Sequence, residues 1–310
     1  MLRLDTAPPL DVPLPVPQLK PDQIPATGIA PANLAAPMVI RGWANAWPAV
    51  QAWTFPALSA MAASQGVTVQ AAHTIEEREQ THKSTVPLSA YLDAVHAGST
   101  SAGYVKQLSL LAVLPDLKQD LGSLPFSSAY WSHTMYAWIG GPGSMTGLHD
   151  DDEDNVLIAL HGKKHVRLAA PSAAAHLHIG PKYDSGTRCA YNSLFDAAEV
   201  ARIRALQVPV YDVILEPGDA LLFPRYWWHE VLGIGPNIAL NVFVSTLPQA
   251  CTVGVCRGVG IVLHELGWWK SAECVCHGED HVAQSNGSVR RGRFLAVLAS
   301  IAAITAAVLR

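Results

Sequence analysis

The run Thr146-Gly-Leu-His-Asp-Asp-Asp-Glu-Asp-Asn155 places one histidine beside five acidic residues. Such a concentration is unusual in a chain in which only 15% of the residues are charged. If this run forms a β-strand, side chains alternate between its two faces, so His149 and Asp151 project together. The pair could then supply two ligands to a metal ion. The alternative is an acidic turn that caps a strand, with every carboxylate in solvent.

A third candidate ligand, His229, lies much later in the chain. It ends the run Glu216-Pro-Gly-Asp-Ala-Leu-Leu-Phe-Pro-Arg-Tyr-Trp-Trp-His229, which predicts a turn followed by a buried strand. Two histidines and one carboxylate form the facial ligand set of non-haem iron oxygenases, because coordination positions stay open for oxygen and a chelating acid. A histidine next to two tryptophans could equally be a packed core residue.

Two adjacent lysines lie between these stretches, in Leu160-His-Gly-Lys-Lys-His-Val-Arg-Leu168. A small dicarboxylic acid bound to the metal needs a cation for its far carboxylate, and a lysine can provide it. Neighbouring residues of a strand face opposite sides, so Lys163 and Lys164 cannot both reach one pocket. The alternative is that the pair is an exposed turn.

The composition narrows the class of protein. The chain has 310 residues, of which 50% are hydrophobic, enough for a large buried core. Its net charge of −4 gives no reason to expect general binding to nucleic acid. Five cysteines argue against a disulfide framework and for a reducing compartment, the cytoplasm or the nucleus. The fragment Cys274-Val-Cys276-His277 fits no common zinc spacing, and its role stays open.

The sequence divides into four segments. Residues 1–36 are rich in proline and are expected to form an extended arm without its own core. Residues 37–250 carry all the candidate ligands and are expected to form the catalytic domain. Residues 251–289 are expected to be a helical extension, and residues 290–310 are a hydrophobic tail flanked by basic residues.

Short apolar runs broken by Gly, Pro and Asp predict a mainly β domain, a sandwich or barrel with flanking helices. Strands are expected near residues 37–42, 136–140, 156–160, 165–168, 213–215, 220–223 and 238–245. Helical spacing of apolar residues is expected at 47–61, through most of 86–121 (including 106–121), at 194–206 and at 258–270.

The tail from residue 294 to 309 has sixteen residues without a charge. As a helix it would be about 24 Å long, short of the ~30 Å hydrocarbon core of a bilayer. Two interpretations remain open: a helix that docks on the protein or on a second subunit of a homodimer, or a marginal membrane anchor that leaves the catalytic domain in the cytosol.

Taken together, these motifs resemble the JmjC-domain hydroxylases. The resemblance is carried by Tyr136-Ala-Trp-Ile-Gly-Gly-Pro-Gly-Ser-Met-Thr-Gly-Leu-His-Asp-Asp, Gly162-Lys-Lys-His, Pro217-Gly-Asp and Trp228-His229, and it covers about residues 35 to 250. Within that family the chain is similar to the small cupin-like oxygenases, which include asparaginyl and arginyl protein hydroxylases. The implied fold is a double-stranded β-helix, a jelly roll of the cupin type.

The resemblance also implies roles for individual residues. It gives His149, Asp151 and His229 as ligands of Fe(II). It gives the contacts to 2-oxoglutarate as Lys164, Thr146, Tyr104, Asn155 and Asn241. It gives the walls of the substrate pocket as Trp138, Gln107 and Phe243.

The implied reaction is hydroxylation driven by oxygen and 2-oxoglutarate, with a side chain of a protein or peptide as the substrate. Demethylation of N-methyl-lysine is one alternative, and a non-catalytic cupin-like scaffold that binds a partner is another. Two departures from the arginyl hydroxylases put arginine specificity in doubt. Their acidic substrate contact aligns with alanine near Ala72, and a late tryptophan of their pocket aligns with Phe243.

Only one of the five acids is needed as a ligand. The others, Asp150, Asp152, Glu153 and Asp154, are expected to form a solvated strand edge at the mouth of the pocket, where they would favour a cationic substrate.

Overall fold

A computed structural model of the chain describes residues 10–270. The strands are β1 Leu14–Pro15, β2 Gln18–Leu19, β3 Met38–Ile40, β4 Thr68–Ala72, β5 Lys83–Pro87, β6 Tyr104–Leu108, β7 Ser132–Gly140, β8 Met145–Asp151, β9 Asp154–Ala169, β10 Thr187–Cys189, β11 Val210–Leu215, β12 Ala220–Phe223 and β13 Trp228–Ser245. The α-helices are α1 Pro48–Ala52, α2 Phe55–Gln65, α3 Leu88–His96, α4 Leu110–Val113, α5 Ala197–Ala205 and α6 Leu247–Glu265.

The two long strands β9 and β13 organise the fold. The first half of β9 pairs with β12 and its second half pairs with β11, while β13 pairs first with β8 and later with β7. The chain turns between these two sets of partners at Gly162 and Gly235, which have φ of 64° and 70°. A Cβ on Gly162 would lie 2.1 Å from the carbonyl oxygen of Pro236, so the close approach of the strands requires glycine there. The predicted cupin-like β fold is confirmed.

Alternating residues of the central strands pack into two separate cores. On β9, Val156 and Ile158 belong to a core that includes residues of α1 to α4, whereas Leu157 and Ala159 face a second core shared with Trp228. Both faces of this part of the strand are therefore covered by apolar side chains, which explains the unbroken hydrophobic run at residues 156–160. The second core encloses the side of the fold on which the candidate ligands meet.

The proline-rich arm is less independent than the sequence predicts. From residue 10 onward it lies against the sheet, where β1 pairs with β11 and β2 pairs with β3. Val16, between these short strands, is 2% exposed. The arm has no core of its own, as expected, but it extends the sheet at two places because proline is tolerated at sheet edges.

One helix prediction is wrong. The segment Tyr104–Leu108 is the strand β6, paired with β7, although a helix is expected over residues 106–121. Helical turns begin only at Leu110 and continue as the 3-10 turn Pro115–Asp120. Tertiary pairing with β7 outweighs the helical spacing of the apolar residues at this point.

The last described helix, α6, begins at Leu247 with Thr246 as its N-cap. The Thr246 hydroxyl accepts a hydrogen bond from the backbone of Gln249, and the Gln249 side chain accepts one from the backbone N–H of Thr246. Within residues 10–270, no helix combines the length and the apolar character needed to cross a membrane. The hydrophobic tail at 294–309 and the fragment Cys274, Cys276 and His277 lie outside the described residues.

Candidate metal centre

Three side chains that are far apart in sequence meet where β8 pairs with β13. His149 on β8 and His229 on β13 are direct cross-strand neighbours, and their ring centroids are 4.0 Å apart. Asp151 lies two residues beyond His149, on the same face of β8. One ligand atom of each residue lies within 4.8 Å of the others, the only group of this kind among residues 10–270. Strand alternation and sheet closure together produce the predicted cluster.

The backbone fixes which nitrogen of each histidine faces the centre. Nδ1 of His149 lies 2.7 Å from the carbonyl oxygen of Gly147, and Nδ1 of His229 lies 3.0 Å from that of Trp227. A carbonyl oxygen can only accept, so both Nδ1 atoms must carry the proton. Each Nε2 is then left with a free lone pair, which is the state that a metal ligand needs.

The carboxylate of Asp151 is also held in place. Its Oδ1 accepts a hydrogen bond from Thr187 Oγ1 at 3.0 Å, and its Oδ2 accepts one from Asn155 Nδ2 at 3.2 Å. Oδ2 lies 3.5 Å from Nε2 of His229. Asn155 is fully buried and does not line the cavity, and its side-chain amide donates to Asp151 and to the carbonyl oxygen of Glu153. We therefore assign Asn155 to the support of the carboxylate.

Burial dominates the protonation of the ligands. It lowers the pKa of His229 to about 4, with a further contribution from the neighbouring His149. It also lowers the pKa of His149 and raises that of Asp151. Near pH 7 both imidazoles are therefore neutral. Two neutral imidazole nitrogens and one carboxylate fit Fe(II), which this ligand set binds with open coordination positions.

We predict that the metal-free protein loses stability as the pH falls from about 6.5 to about 4. The unfolded chain protonates His229 below about pH 6.5, whereas the folded chain does so only below about pH 4. Unfolding therefore becomes easier across this window, by up to about 3 kcal/mol from this group. Urea unfolding of chelator-treated protein at several pH values measures the effect. His229→Asn has no titrating ring, and an unchanged pH dependence in that variant would contradict the assignment.

A second cluster lies beside the ligands, around the buried amine of Lys164. Lys164 Nζ donates to the hydroxyl of Tyr104 at 2.9 Å, and Tyr104 is also hydrogen-bonded to Thr146. Burial, with a smaller contribution from Lys106, lowers the pKa of Lys164 to about 7. No described residue forms an ion pair with Lys164. A buried amine that lacks an anion can form a charge-assisted hydrogen bond with a carboxylate.

The neighbouring lysine faces the other way, as strand alternation predicts. Lys163 lies at the surface, where its Nζ is 2.8 Å from Oε1 of Glu216. Of the two lysines, only Lys164 can contact a molecule bound at the metal centre.

Both clusters line one cavity of about 450 Å³. Its aromatic wall consists of Tyr136, Trp138 and Phe243, with ring centroids 6.2 to 6.3 Å apart. Asn241 also faces the cavity, and its Oδ1 has no hydrogen-bond partner. Gln107 lies exposed at the rim, with φ of 51° at a bulge in β6. All the predicted site residues except Asn155 line this cavity.

A buried charge pair on this cavity was not predicted from the sequence. Glu77 accepts hydrogen bonds from Lys106 Nζ at 2.8 Å and from the backbone N–H of Gly147 at 2.8 Å. The carbonyl of Gly147 orients His149, so Glu77 holds the residue that positions a metal ligand. Glu76 lies beside it and pairs with Lys83 at 2.9 Å. The run Glu76-Glu-Arg-Glu79 was the sequence signal that could have indicated this charge pair.

The absence of an acid at Ala72 therefore does not leave the pocket without carboxylates. Ala72 is buried against Tyr104, and acidic groups reach the cavity from Glu76, Glu77 and Asp184. The side-chain carboxyl of Asp184 has no hydrogen-bond or ion-pair partner among the described residues. Burial and the nearby Glu77 and Asp151 raise its pKa to about 7.

The expectation of a solvated acidic edge is wrong, because each of the four other acids has a partner. Asp150 is 1% exposed and pairs with Arg188, which lies opposite it on β10. The remaining acids are held by Arg257 of α6, by Tyr130 just before β7 and by the backbone just after β12. These contacts are Asp152 and Glu153 with Arg257, and Asp154 with the Tyr130 hydroxyl and the backbone N–H of Arg225. The partners are distant in sequence, so the sequence alone did not reveal them.

A comparison with known protein families agrees with this fold and this site. A family model described as a cupin-like domain matches residues 31–249. The chain therefore belongs to the cupin-like domain family, and it is similar to proteins named for a Jumonji C domain.

Three relatives illustrate the range of named functions. Jumonji C domain-containing protein 5 of Drosophila melanogaster is 30% identical over 146 residues, 44% of this chain and 35% of that protein. Lysine-specific demethylase 8 of Danio rerio is 24% identical over 223 residues, 67% and 53% of the two chains. tRNA wybutosine-synthesizing protein 5 of Homo sapiens is 32% identical over 138 residues, 44% and 42%. The match spans about half of the length of these relatives or less.

Proposed function

We propose that this protein is an Fe(II)- and 2-oxoglutarate-dependent hydroxylase of protein side chains. The observation that carries the proposal is the placement of Lys164. A buried amine without an anion shares one cavity with two neutral histidines and a carboxylate that fit Fe(II). Such an arrangement suits a small dicarboxylic acid that bridges the metal and the amine.

In this proposal the residues of the chain bind and orient the reactants. His149, Asp151 and His229 would hold the metal, and Lys164 with the Tyr104 hydroxyl would hold the distal carboxylate of 2-oxoglutarate. Burial keeps Tyr104 protonated by raising its pKa, so it stays a hydrogen-bond donor. Bound iron and 2-oxoglutarate together supply the oxidation of a C–H bond by oxygen, with succinate and carbon dioxide as products.

The residues on the substrate side of the cavity suit a substrate side chain that donates hydrogen bonds. The unpaired carboxyl of Asp184 lines the same cavity as the metal ligands, and the aromatic wall of Tyr136, Trp138 and Phe243 can pack against the aliphatic part of such a side chain. A basic side chain would match both features, because a cation interacts favourably with a carboxylate and with aromatic faces.

Demethylation of N-methyl-lysine is the second candidate, favoured by relatives named lysine-specific demethylases. The two reactions differ in their products. Hydroxylation leaves one added oxygen atom on the peptide, whereas oxidation of an N-methyl group releases formaldehyde and leaves a lighter peptide. A relative named as a tRNA wybutosine-synthesizing protein makes tRNA a third substrate to include in the assay.

The test supplies iron and 2-oxoglutarate to the purified protein with pools of unmodified peptides, methyl-lysine peptides or tRNA. We expect succinate, together with a mass gain of one oxygen atom on an unmodified peptide. Formaldehyde release from methyl-lysine peptides, with no oxygen gained by unmodified peptides, would show that the reaction is demethylation and not hydroxylation. A protein that binds no iron and makes no succinate would be a non-catalytic scaffold.

A further inference from the structure

The strands β4 and β6 are neighbours in the sheet but pair at one position only, Ala72 with Tyr104. On its other side β4 pairs with β5 along all of Thr68–Ala72. On its other side β6 pairs with β7. The two strands therefore diverge from the Ala72–Tyr104 contact, and their facing edges are left without a partner strand.

The hydrogen-bond register shows which backbone groups of β4 face this gap. His73 donates its N–H to the carbonyl of His82, and Leu88 donates its N–H to the carbonyl of Val67. In an antiparallel pair every second residue bonds to the partner, so the odd-numbered residues of β4 bond to β5. The N–H and C=O groups of Thr68 and Gln70 therefore point towards β6. No described residue bonds to them there.

The gap is a cleft of about 260 Å³ that continues into the metal cavity. The two spaces share five lining residues, Glu76, Lys83, Tyr104, Lys106 and Gln107. At its outer end the cleft is lined by Thr68, Gln70 and Ser109. A molecule lying along the cleft would thus have one end at the rim of the metal cavity.

An extended polypeptide is the occupant that fits these features. The free backbone groups match those of a single strand, since unpaired strand edges are templates for another strand. We infer that the protein substrate binds in this cleft as an extended strand along the free edge of β4, bonded to the backbone of Thr68 and Gln70. A side chain of that strand then enters the metal cavity. This inference rests on the proposed action on protein substrates.

The test removes one backbone donor from the cleft. Gln70→Pro deletes an N–H that faces β6 and leaves the β4–β5 hydrogen bonds intact, because Gln70 does not donate to β5. The matched control is Thr85→Pro, directly opposite Gln70 on β5. Its N–H faces the outer edge of the sheet, where β5 is the terminal strand. Thermal unfolding checks that both variants are folded.

The probe is the short peptide of a randomised library that gains an oxygen atom fastest with the unmodified protein. We expect Gln70→Pro to raise KM for this peptide about tenfold, through the loss of one hydrogen bond and the strand contact around it, with kcat nearly unchanged. Thr85→Pro should leave KM unchanged. Equal KM values in the two variants would overturn the inference.

Methylation of single backbone nitrogens along the same peptide gives a second measurement, which does not depend on the folding of a variant. Pairing with one strand edge predicts that KM rises at alternate positions, because only every second N–H of the peptide faces β4. A uniform effect along the peptide would contradict strand pairing.

Succinate formed without peptide separates this inference from the proposed function. It reports on the metal and 2-oxoglutarate site and should be the same in the unmodified protein and in both variants. If succinate is formed but no peptide of the library gains oxygen, extended-peptide binding is overturned while the iron chemistry stands.

Discussion

Asp151→Ala is expected to remove most of the iron and to abolish succinate formation. Among the described residues, Asp151 is the carboxylate that groups with ligand atoms of His149 and His229 within 4.8 Å, and its two oxygens are already oriented by Thr187 and Asn155. Without it, two neutral imidazoles remain, which are a weak site for a divalent cation. His149→Ala and His229→Ala should have the same effect. Iron content and succinate are measured on variants shown by circular dichroism to be folded.

Asp150→Ala is the matched control, one residue away on the opposite face of β8. Asp150 pairs with Arg188, so its loss should cost about 1–3 kcal/mol of folding free energy and leave the metal site unchanged. Asp152→Ala should likewise keep its iron, because Asp152 contacts Arg257. Full iron and turnover in Asp151→Ala, with both lost in Asp150→Ala, would show that the opposite face of β8 binds the metal.

Lys164→Ala is expected to weaken 2-oxoglutarate binding by about 10- to 100-fold, the effect of a lost charge-assisted hydrogen bond of roughly 1.5–3 kcal/mol. The matched control is Lys163→Ala, which removes an amine from the same strand at its exposed face. That variant loses only a surface ion pair with Glu216 and should bind 2-oxoglutarate normally. Calorimetric titration of both variants measures the affinities, and equal values would refute the assignment of Lys164.

Binding of 2-oxoglutarate should also depend on pH through Lys164. Burial lowers the pKa of this amine to about 7, so above about pH 7 the free protein holds Lys164 increasingly uncharged. A carboxylate beside the amine favours its charged form, so binding must take up a proton there and affinity should fall as the pH rises. In Lys164→Ala this pH dependence should disappear. Its persistence would assign the titration to another group.

Local sequence determined those features of the protein that depend on strand alternation. The spacing of His149 and Asp151 places both side chains on one face of β8, and the same rule separates Lys164 from Lys163 on β9. The apolar runs also predicted the central strands, because a strand that is buried on both faces needs apolar residues on both. Each of these conclusions needs only a few consecutive residues.

Tertiary structure decided which distant residues became partners. The acids beside Asp151 are not a solvated edge, because folding brings Arg188 and Arg257 to them. Glu77 accepts a hydrogen bond from the backbone N–H of Gly147, two residues before the metal ligand His149. Pairing with β7 makes Tyr104–Leu108 a strand, although the local spacing favours a helix. The physical reason is that sheet register and the packing of layers determine which charges and which strand edges come into contact. Those depend on contacts between residues that are far apart along the chain, which short-range periodicity does not encode.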